Sequence, residues 1–176
     1  RVLFRSFSQW EVAGTSHVDI FFEFEWSKVR LQRDGLALSA AAARDPGCNL
    51  PVHSRVPFRD VMNAAFEHLV AWVRDDVAPP TADPLQVARM LPELEFARDD
   101  YGNILGGIRL AEHVVATARN TGMNNGDSRF CFLYGSHQPF GQATLTGLYP
   151  RHDDYVEAVK AVVDQNLADG YILPYA

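Results

Sequence analysis

The sequence predicts a mixed fold of α-helices and β-strands, on three observations. Apolar residues at helical spacing run through 56–76, and a second such stripe runs through 153–170. Near the start, 9–13 has the composition of a short buried strand that ends at Gly14. Residues 94–110 are typical of a β-hairpin around the turn "DDYGN". At 176 residues and 47% hydrophobic composition, the chain is long enough to bury the core of one globular unit.

The two long helices are the best-defined predictions. In the first, Pro57 suits the first turn, and the prolines of "APPTADP" end the helix. Its apolar residues form one stripe: Phe58, Met62, Ala65, Leu69, Trp72 and Val73. The second begins with Asp153 and Asp154, which the helix dipole favours at that end, and Gly170 supplies its stop.

The remaining segments give weaker predictions. Residues 18–31 fit helix and strand templates about equally, and we favour a helix. Residues 33–54 form a loop-rich connector. Strands are predicted for "HVVATA" and "FCFLYGS", a structural turn for "GSHQPF", and a short helix for "QATLTGLYP". In the hairpin, 94–97 should pair with 104–110.

Composition excludes several classes of function. The formal net charge of −6 argues against an extended nucleic-acid surface. No apolar stretch approaches the roughly 20 residues needed to span a bilayer. The histidines and cysteines show no HxxxH, HxH or CxxC spacing, so we expect no local metal site and no cofactor. Cys48 and Cys131 are most simply interpreted as buried thiols, and a single disulfide stays open.

The first six residues, "RVLFRS", resemble the translation of a common sequencing-library adapter. We therefore predict that residues 1–6 are not biological and that a gene fragment starts near Phe7. The competing interpretation is a processed subunit with a natural terminus at Arg1.

The strongest candidate for chemistry is His17, in the segment "QWEVAGTSHVD". A histidine general base belongs on a short loop at the end of a strand, where the backbone is fixed and the ring can reach a cleft. The strand at 9–13, followed by Gly14 and His17, provides that layout. On pattern alone, a structural or surface histidine is the more frequent outcome. Asp19 is interpreted as a helix cap rather than an acid that orients His17.

Nucleophiles within the chain are poorly supported. The G-x-S-x-G turn of many hydrolases is absent. Ser136 and His137 are neighbours, but adjacent side chains in extended backbone point to opposite faces. Cys131 also lacks a base at suitable spacing. An enzyme complete in these residues is therefore the least favoured hypothesis.

Six segments, taken together and in order, resemble the C-terminal half of the alpha/beta hydrolase domain-containing proteins, a family of large bacterial proteins. They cover most of 7–176 and read "WEVAGTSHVD", "VMNAAFEHLVAWVRDDVAPP", "FARDDYGNILGGIRL", "LYGSHQPF", "TLTGLYPRHDDYV" and "ADGYILP".

The resemblance implies fold class α/β, as the C-terminal fragment of an alpha/beta hydrolase fold. That fold has a mostly parallel sheet with flanking helices, here with a hairpin-containing C-terminal extension. Residues 7–80 would hold the last core strand, the histidine loop and the following helix, and 81–176 would form the extension. His17 matches the triad histidine, and the chain order of the fold places the serine and the acid upstream.

The resemblance further implies a serine-type hydrolase that acts on a small ester-like molecule, so the chain alone should be inactive. The alternative is a non-catalytic binding or interaction module in which His17 is structural. A fragment without its central sheet should expose a broad apolar face, whereas a complete module should unfold cooperatively as a soluble monomer.

Overall fold

The computed structural model describes residues 7–23, 27–35 and 47–175. The predicted adapter residues 1–6 and much of the predicted connector, 36–46, lie outside this part of the chain. Within it, the helices are α1 (Ser27–Arg33), α2 (Phe58–Asp75), α3 (Ala111–Val114), α4 (Cys131–Tyr134), α5 (Gln142–Leu148) and α6 (His152–Ala168). The strands are β1 (Val87–Arg89), β2 (Glu95–Phe96), β3 (Ala118–Thr121) and β4 (Ser136–Pro139).

The sheets of the described residues are small and antiparallel. β1 pairs with β2, and β3 pairs with β4 over four residue pairs from Ala118–Pro139 to Thr121–Ser136. A mostly parallel sheet is therefore not confirmed. Of the strand predicted for 9–13, the structure shows one parallel bridge, between Val12 and Ile108.

The hairpin prediction is confirmed at its turn and changed at its arms. The amide of Gly102 donates to the Asp99 carbonyl at 3.0 Å, and the amide of Leu105 donates to the Ala97 carbonyl at 2.9 Å. Beyond this point, Glu95–Phe96 pairs with β1 instead, and Leu85, just before β1, forms a bridge with Gly106. The turn "DDYGN" was readable from the sequence, whereas the partner strand β1 is only three residues long and exposed throughout, so it shows no alternating strand pattern.

Three local predictions were wrong. "FCFLYGS" was predicted as a strand, but Cys131–Tyr134 forms α4. "GSHQPF" was predicted as a turn, but Ser136–Pro139 forms β4, since its backbone pairs with β3 across the chain. "HVVATA" divides into α3 and β3, at a break near Val115.

Both long helices are confirmed, and so is the short helix α5. A helix was also favoured for 18–31, and within that range 20–23 and the first part of α1 are helical. In α6, the Asp154 carboxylate accepts the Arg151 amide at 3.1 Å, as expected for an acid in the first turn.

The apolar stripe predicted on α2 is only partly covered. The fully buried residues of the helix are Val61 and Ala64. Most of the predicted stripe instead lines an open groove of about 390 Å³, and Val73 is 82% exposed. Adjacent apolar residues are exposed as well, namely Phe66, Leu69 and Val70. α2 thus presents a broad apolar face to the surface of the described part of the chain.

The hydrophobic core is small and lies between α2, the segment around Ile108 and the end of the chain. Its buried members are Val56, Val61, Ile108, Leu110 and Ile172. Trp10 connects the start of the chain to this core, because its indole N–H donates to the Pro80 carbonyl at 2.8 Å and its ring meets Tyr171 edge-on. His68 on α2 hydrogen-bonds the Gly170 carbonyl at 2.8 Å, which identifies it as a packing residue.

Candidate functional site

His17 lies on a loop that leaves the parallel bridge at Val12. The bridge holds the incoming backbone firmly, since the Ala13 amide donates to the Ile108 carbonyl at 2.9 Å. Ala13 is fully buried, and Gly14 then turns the chain with φ at +75°. His17 itself is exposed, and its ring makes no hydrogen bond to another described residue. The chain therefore presents a free imidazole on an ordered backbone.

The near side of the loop is fixed by hydroxyl groups. The Ser54 hydroxyl, which is fully buried, donates to the Gly14 carbonyl at 2.5 Å. The Thr15 hydroxyl donates to the Val12 carbonyl at 3.0 Å, and the Ser16 hydroxyl donates to the Val18 carbonyl at 3.2 Å. These bonds satisfy backbone carbonyls that the turn leaves without ladder partners.

Asp19 caps two helical segments with its two carboxylate oxygens. One oxygen accepts the Phe22 amide at 2.8 Å, and the other accepts the Phe58 amide at the start of α2 at 3.3 Å. The residue is only 4% exposed. Both oxygens are used for backbone amides, as helix N-termini require. This geometry supports the interpretation of Asp19 as a cap rather than an acid for His17.

The far side of the loop rests on α4 and on the residue that ends it. The Val18 amide donates to the Leu133 carbonyl at 2.8 Å. Gly135 packs against Ser16, so that a methyl group at Gly135 would lie 2.7 Å from the Ser16 Cβ. The His53 ring packs against Tyr134 at an angle of 57°, with ring centroids 4.9 Å apart. One helical turn thus supports the residues on both sides of His17.

His113 lies behind Gly14 and is part of the same support. Its ring would collide with any side chain at Gly14, at 2.9 Å from the ring carbon Cε1. Its Nε2 donates to the Ile104 carbonyl at 2.8 Å, and its Nδ1 is buried without a partner among the described residues. Burial lowers the pKa of His113, so the ring is neutral near pH 7. This histidine is therefore a packing group and not a general base.

A groove of about 740 Å³ opens beside the start of the loop. Gly14 and Thr15 form part of its wall, together with apolar side chains that include Leu94, Phe96 and Met123. His17 is not one of the lining residues, so the groove reaches the loop and not the ring itself. Its charged lining residues are Glu95 and Arg98.

The other candidate nucleophiles, Cys131 and Ser136, are engaged in structural contacts. Cys131 is bonded to Cys48 in a disulfide, so the thiol pair expected as the simplest interpretation is wrong. Ser136 is fully buried, and its hydroxyl shares a hydrogen bond of 2.8 Å with the Thr121 hydroxyl. Ser136 and His137 have separate partners, as opposite faces of a strand predict.

His137 belongs to a buried network around Asn120. Its Nδ1 donates to the Asn120 side-chain carbonyl at 2.9 Å, and the Arg55 amide donates to the same oxygen at 3.2 Å. Burial, and then the charge of Arg55, lower the pKa of His137 to about 4. This ring is also neutral at physiological pH.

The depressed pKa of His137 predicts an acid-sensitive contribution to stability. An ordinary histidine titrates near 6.5, so the unfolded chain binds this proton before the folded chain does. The stabilisation is present above pH 6.5 and is lost as the pH falls towards 4, at no more than about 1.4 kcal/mol per pH unit. The difference in unfolding free energy between wild type and His137→Asn, measured by urea denaturation, should shrink over this window. The exposed His152→Asn is the matched control, and equal pH dependence in both variants would contradict the assignment.

Among the described residues, no three His, Cys, Asp or Glu side chains converge in a way that could hold a metal ion. In the same part of the chain, each helix is too short or too polar to cross a bilayer.

The sequence predicted the role of Asp19 as a cap, but it did not reveal the groups that hold the loop around His17. Ser54 carries no motif, and it lies 40 residues from Gly14 in sequence. Leu133 acts through its backbone carbonyl, which no side-chain pattern can reveal. The one signal in the sequence for this support was Cys131, which lies at the start of α4.

A family model described as an alpha/beta hydrolase domain matches residues 5–176 of the chain. Searches among curated proteins and among solved structures found no match.

Proposed function

Because this chain belongs to the alpha/beta hydrolase domain family, we propose that it carries the triad histidine of a serine hydrolase that cleaves carboxylic esters. In this proposal His17 is the general base. The serine nucleophile and the acid lie in polypeptide encoded upstream of residue 7, together with the mostly parallel core sheet. Residues 7–80 are the end of that core, and 81–176 are its C-terminal extension.

The observation that carries the proposal is the contrast between the His17 backbone and its ring. The loop is held by Ser54, by Leu133 and by the capping carboxylate of Asp19. The imidazole of His17, in contrast, forms no hydrogen bond to another described residue. An ordered backbone around a side chain without a hydrogen-bond partner is expected when that side chain is positioned for a partner outside the described residues. A structural histidine would instead be bonded, as His68 and His113 are.

The apolar face of α2 gives independent support. Phe66, Leu69, Val70 and Val73 are exposed next to the open groove on this helix. Contiguous apolar surface of this kind is a usual sign of an interface. A core sheet contributed by upstream polypeptide would cover it, as helices cover the faces of a parallel sheet.

The proposed reaction is acyl transfer in two steps. The serine oxygen attacks the ester carbonyl carbon as its proton passes to His17, and the tetrahedral intermediate then expels the alcohol, which takes that proton. Water, deprotonated by His17, attacks the acyl-enzyme, and the serine oxygen leaves with the proton returned to it. The acid stabilises the charged imidazole. The groove beside Thr15 suits an uncharged, largely apolar part of the substrate, because most of its walls are apolar.

The complete gene provides the first test. A read upstream of the codon for residue 7 should encode a serine on a strand-to-helix turn, of the G-x-S-x-G or Q-S-G type, followed by an acid. An initiator methionine directly before Phe7 would contradict the proposal.

A further inference from the structure

We propose that the disulfide between Cys48 and Cys131 is a positioning device for His17, which acts through α4. The importance of this device for catalysis rests on the proposed role of His17. The positioning itself does not depend on that role, because it concerns only the backbone on either side of the ring.

The first link joins the disulfide to α4. Cys131 is the first residue of this helix and is only 1% exposed. Its partner Cys48 forms a bridge with Gly126, and the neighbouring Asn49 amide donates to the Asn125 carbonyl at 2.6 Å. The bond therefore ties the start of α4 to the paired segments around Cys48 and Gly126, and it joins two cysteines that are 83 residues apart in sequence.

The second link joins α4 to the histidine loop. α4 has four residues, and a helix of one turn does not persist by its own hydrogen bonds. The Leu133 carbonyl nevertheless accepts a hydrogen bond from the Val18 amide, and Gly135, which ends the turn, packs on Ser16. Ser16 and Val18 are the two neighbours of His17. The support of the ring thus depends on a turn that requires an external tether.

The disulfide is the covalent tether of that turn, and its loss should act locally. The entry to the loop is held by the Ser54 hydroxyl, and its exit is held by the Asp19 caps. Ser54 also contacts α4, because its amide donates to the Tyr134 carbonyl at 3.1 Å. When the bond is broken, α4 should open and release Val18, while distant elements remain closed. Local opening of this kind is detected by amide hydrogen exchange.

Hydrogen exchange of the 176-residue chain tests the proposal in oxidised, reduced and reoxidised samples. The Val18 amide reports on the contact with α4, and the Leu105 amide, bonded to the Ala97 carbonyl at 2.9 Å in the distant hairpin, serves as the reference. On reduction, Val18 should exchange at least about tenfold faster and Leu105 less than about threefold faster, and reoxidation should restore both. The double variant Cys48→Ser/Cys131→Ser should reproduce the reduced pattern.

Three results would overturn the proposal. Unchanged exchange at Val18 would show that α4 holds the loop without the bond. An equal increase at Val18 and Leu105, or unfolding of both the reduced and the doubly substituted chain, would assign the disulfide to global stability.

Activity separates this proposal from the proposed function. In the protein expressed from the complete gene, reduction should lower kcat for short esters by about 10- to 100-fold, with KM changed less than about threefold. If Val18 exchange responds to reduction but His17→Ala leaves ester hydrolysis intact, the positioning stands and the proposed function fails. If His17→Ala abolishes hydrolysis while Val18 exchange is unaffected by reduction, the proposed function stands and the positioning role of the disulfide fails.

Discussion

Replacement of His17 by alanine in the protein expressed from the complete gene should lower the hydrolysis of short acyl esters by about 10²–10⁴-fold. The loss should appear in kcat, because the imidazole moves protons in the transition state rather than binding the substrate. Steady-state kinetics with p-nitrophenyl acetate and butyrate would measure it. The matched control is His152→Ala, since His152 is also exposed and lies at the start of α6.

The same substitution distinguishes the catalytic hypothesis from the binding-module alternative. His17 is exposed and forms no hydrogen bond to another described residue, so its removal should change the unfolding free energy by less than about 0.5 kcal/mol. A structural histidine would destabilise the chain when removed. Activity retained together with a clear loss of stability would therefore favour the alternative.

Replacement of Asp19 by alanine should lower the unfolding free energy of the chain by about 2–4 kcal/mol. The buried carboxylate accepts the Phe22 and Phe58 amides, and its loss leaves both donors without a partner at helical N-termini. Urea denaturation of the 176-residue chain, followed by circular dichroism, measures the effect.

The design includes a graded variant and a surface control. Asp19→Asn removes the charge but retains the shape and one acceptor oxygen. It should therefore lose less stability than Asp19→Ala. Asp100→Ala, at an exposed position of the hairpin turn, should change stability by less than about 0.5 kcal/mol. Equal effects at Asp19 and Asp100 would show that the two caps do not stabilise the fold.

The elements predicted well from the sequence are those whose signals are local. α2 and α6 repeat apolar residues over four or more turns, and their ends carry prolines, acids or a glycine. The turn of the hairpin has its own chemistry, in which the Asp99 side chain accepts the Asn103 amide at 2.8 Å. Asp19 was readable as a cap for the same reason.

The elements predicted wrongly depend on partners far along the chain. "CFLY" has the apolar and aromatic composition of a strand, but its disulfide and its contacts with the histidine loop hold it as one helical turn. "SHQP" has no strand pattern, and it becomes β4 because its backbone pairs with β3. Likewise, most of the α2 stripe lines an open groove, and helical periodicity alone does not indicate what covers a face.

Fluorophosphonate labelling of the protein expressed from the complete gene, with the modified residue mapped by mass spectrometry, tests whether His17 activates a serine encoded upstream. We expect modification of one serine encoded upstream of residue 7. This labelling should be strongly reduced in His17→Ala and unchanged in Ser136→Ala, because the Ser136 hydroxyl is buried against Thr121. Modification within 7–176, or labelling that is independent of His17, would contradict it.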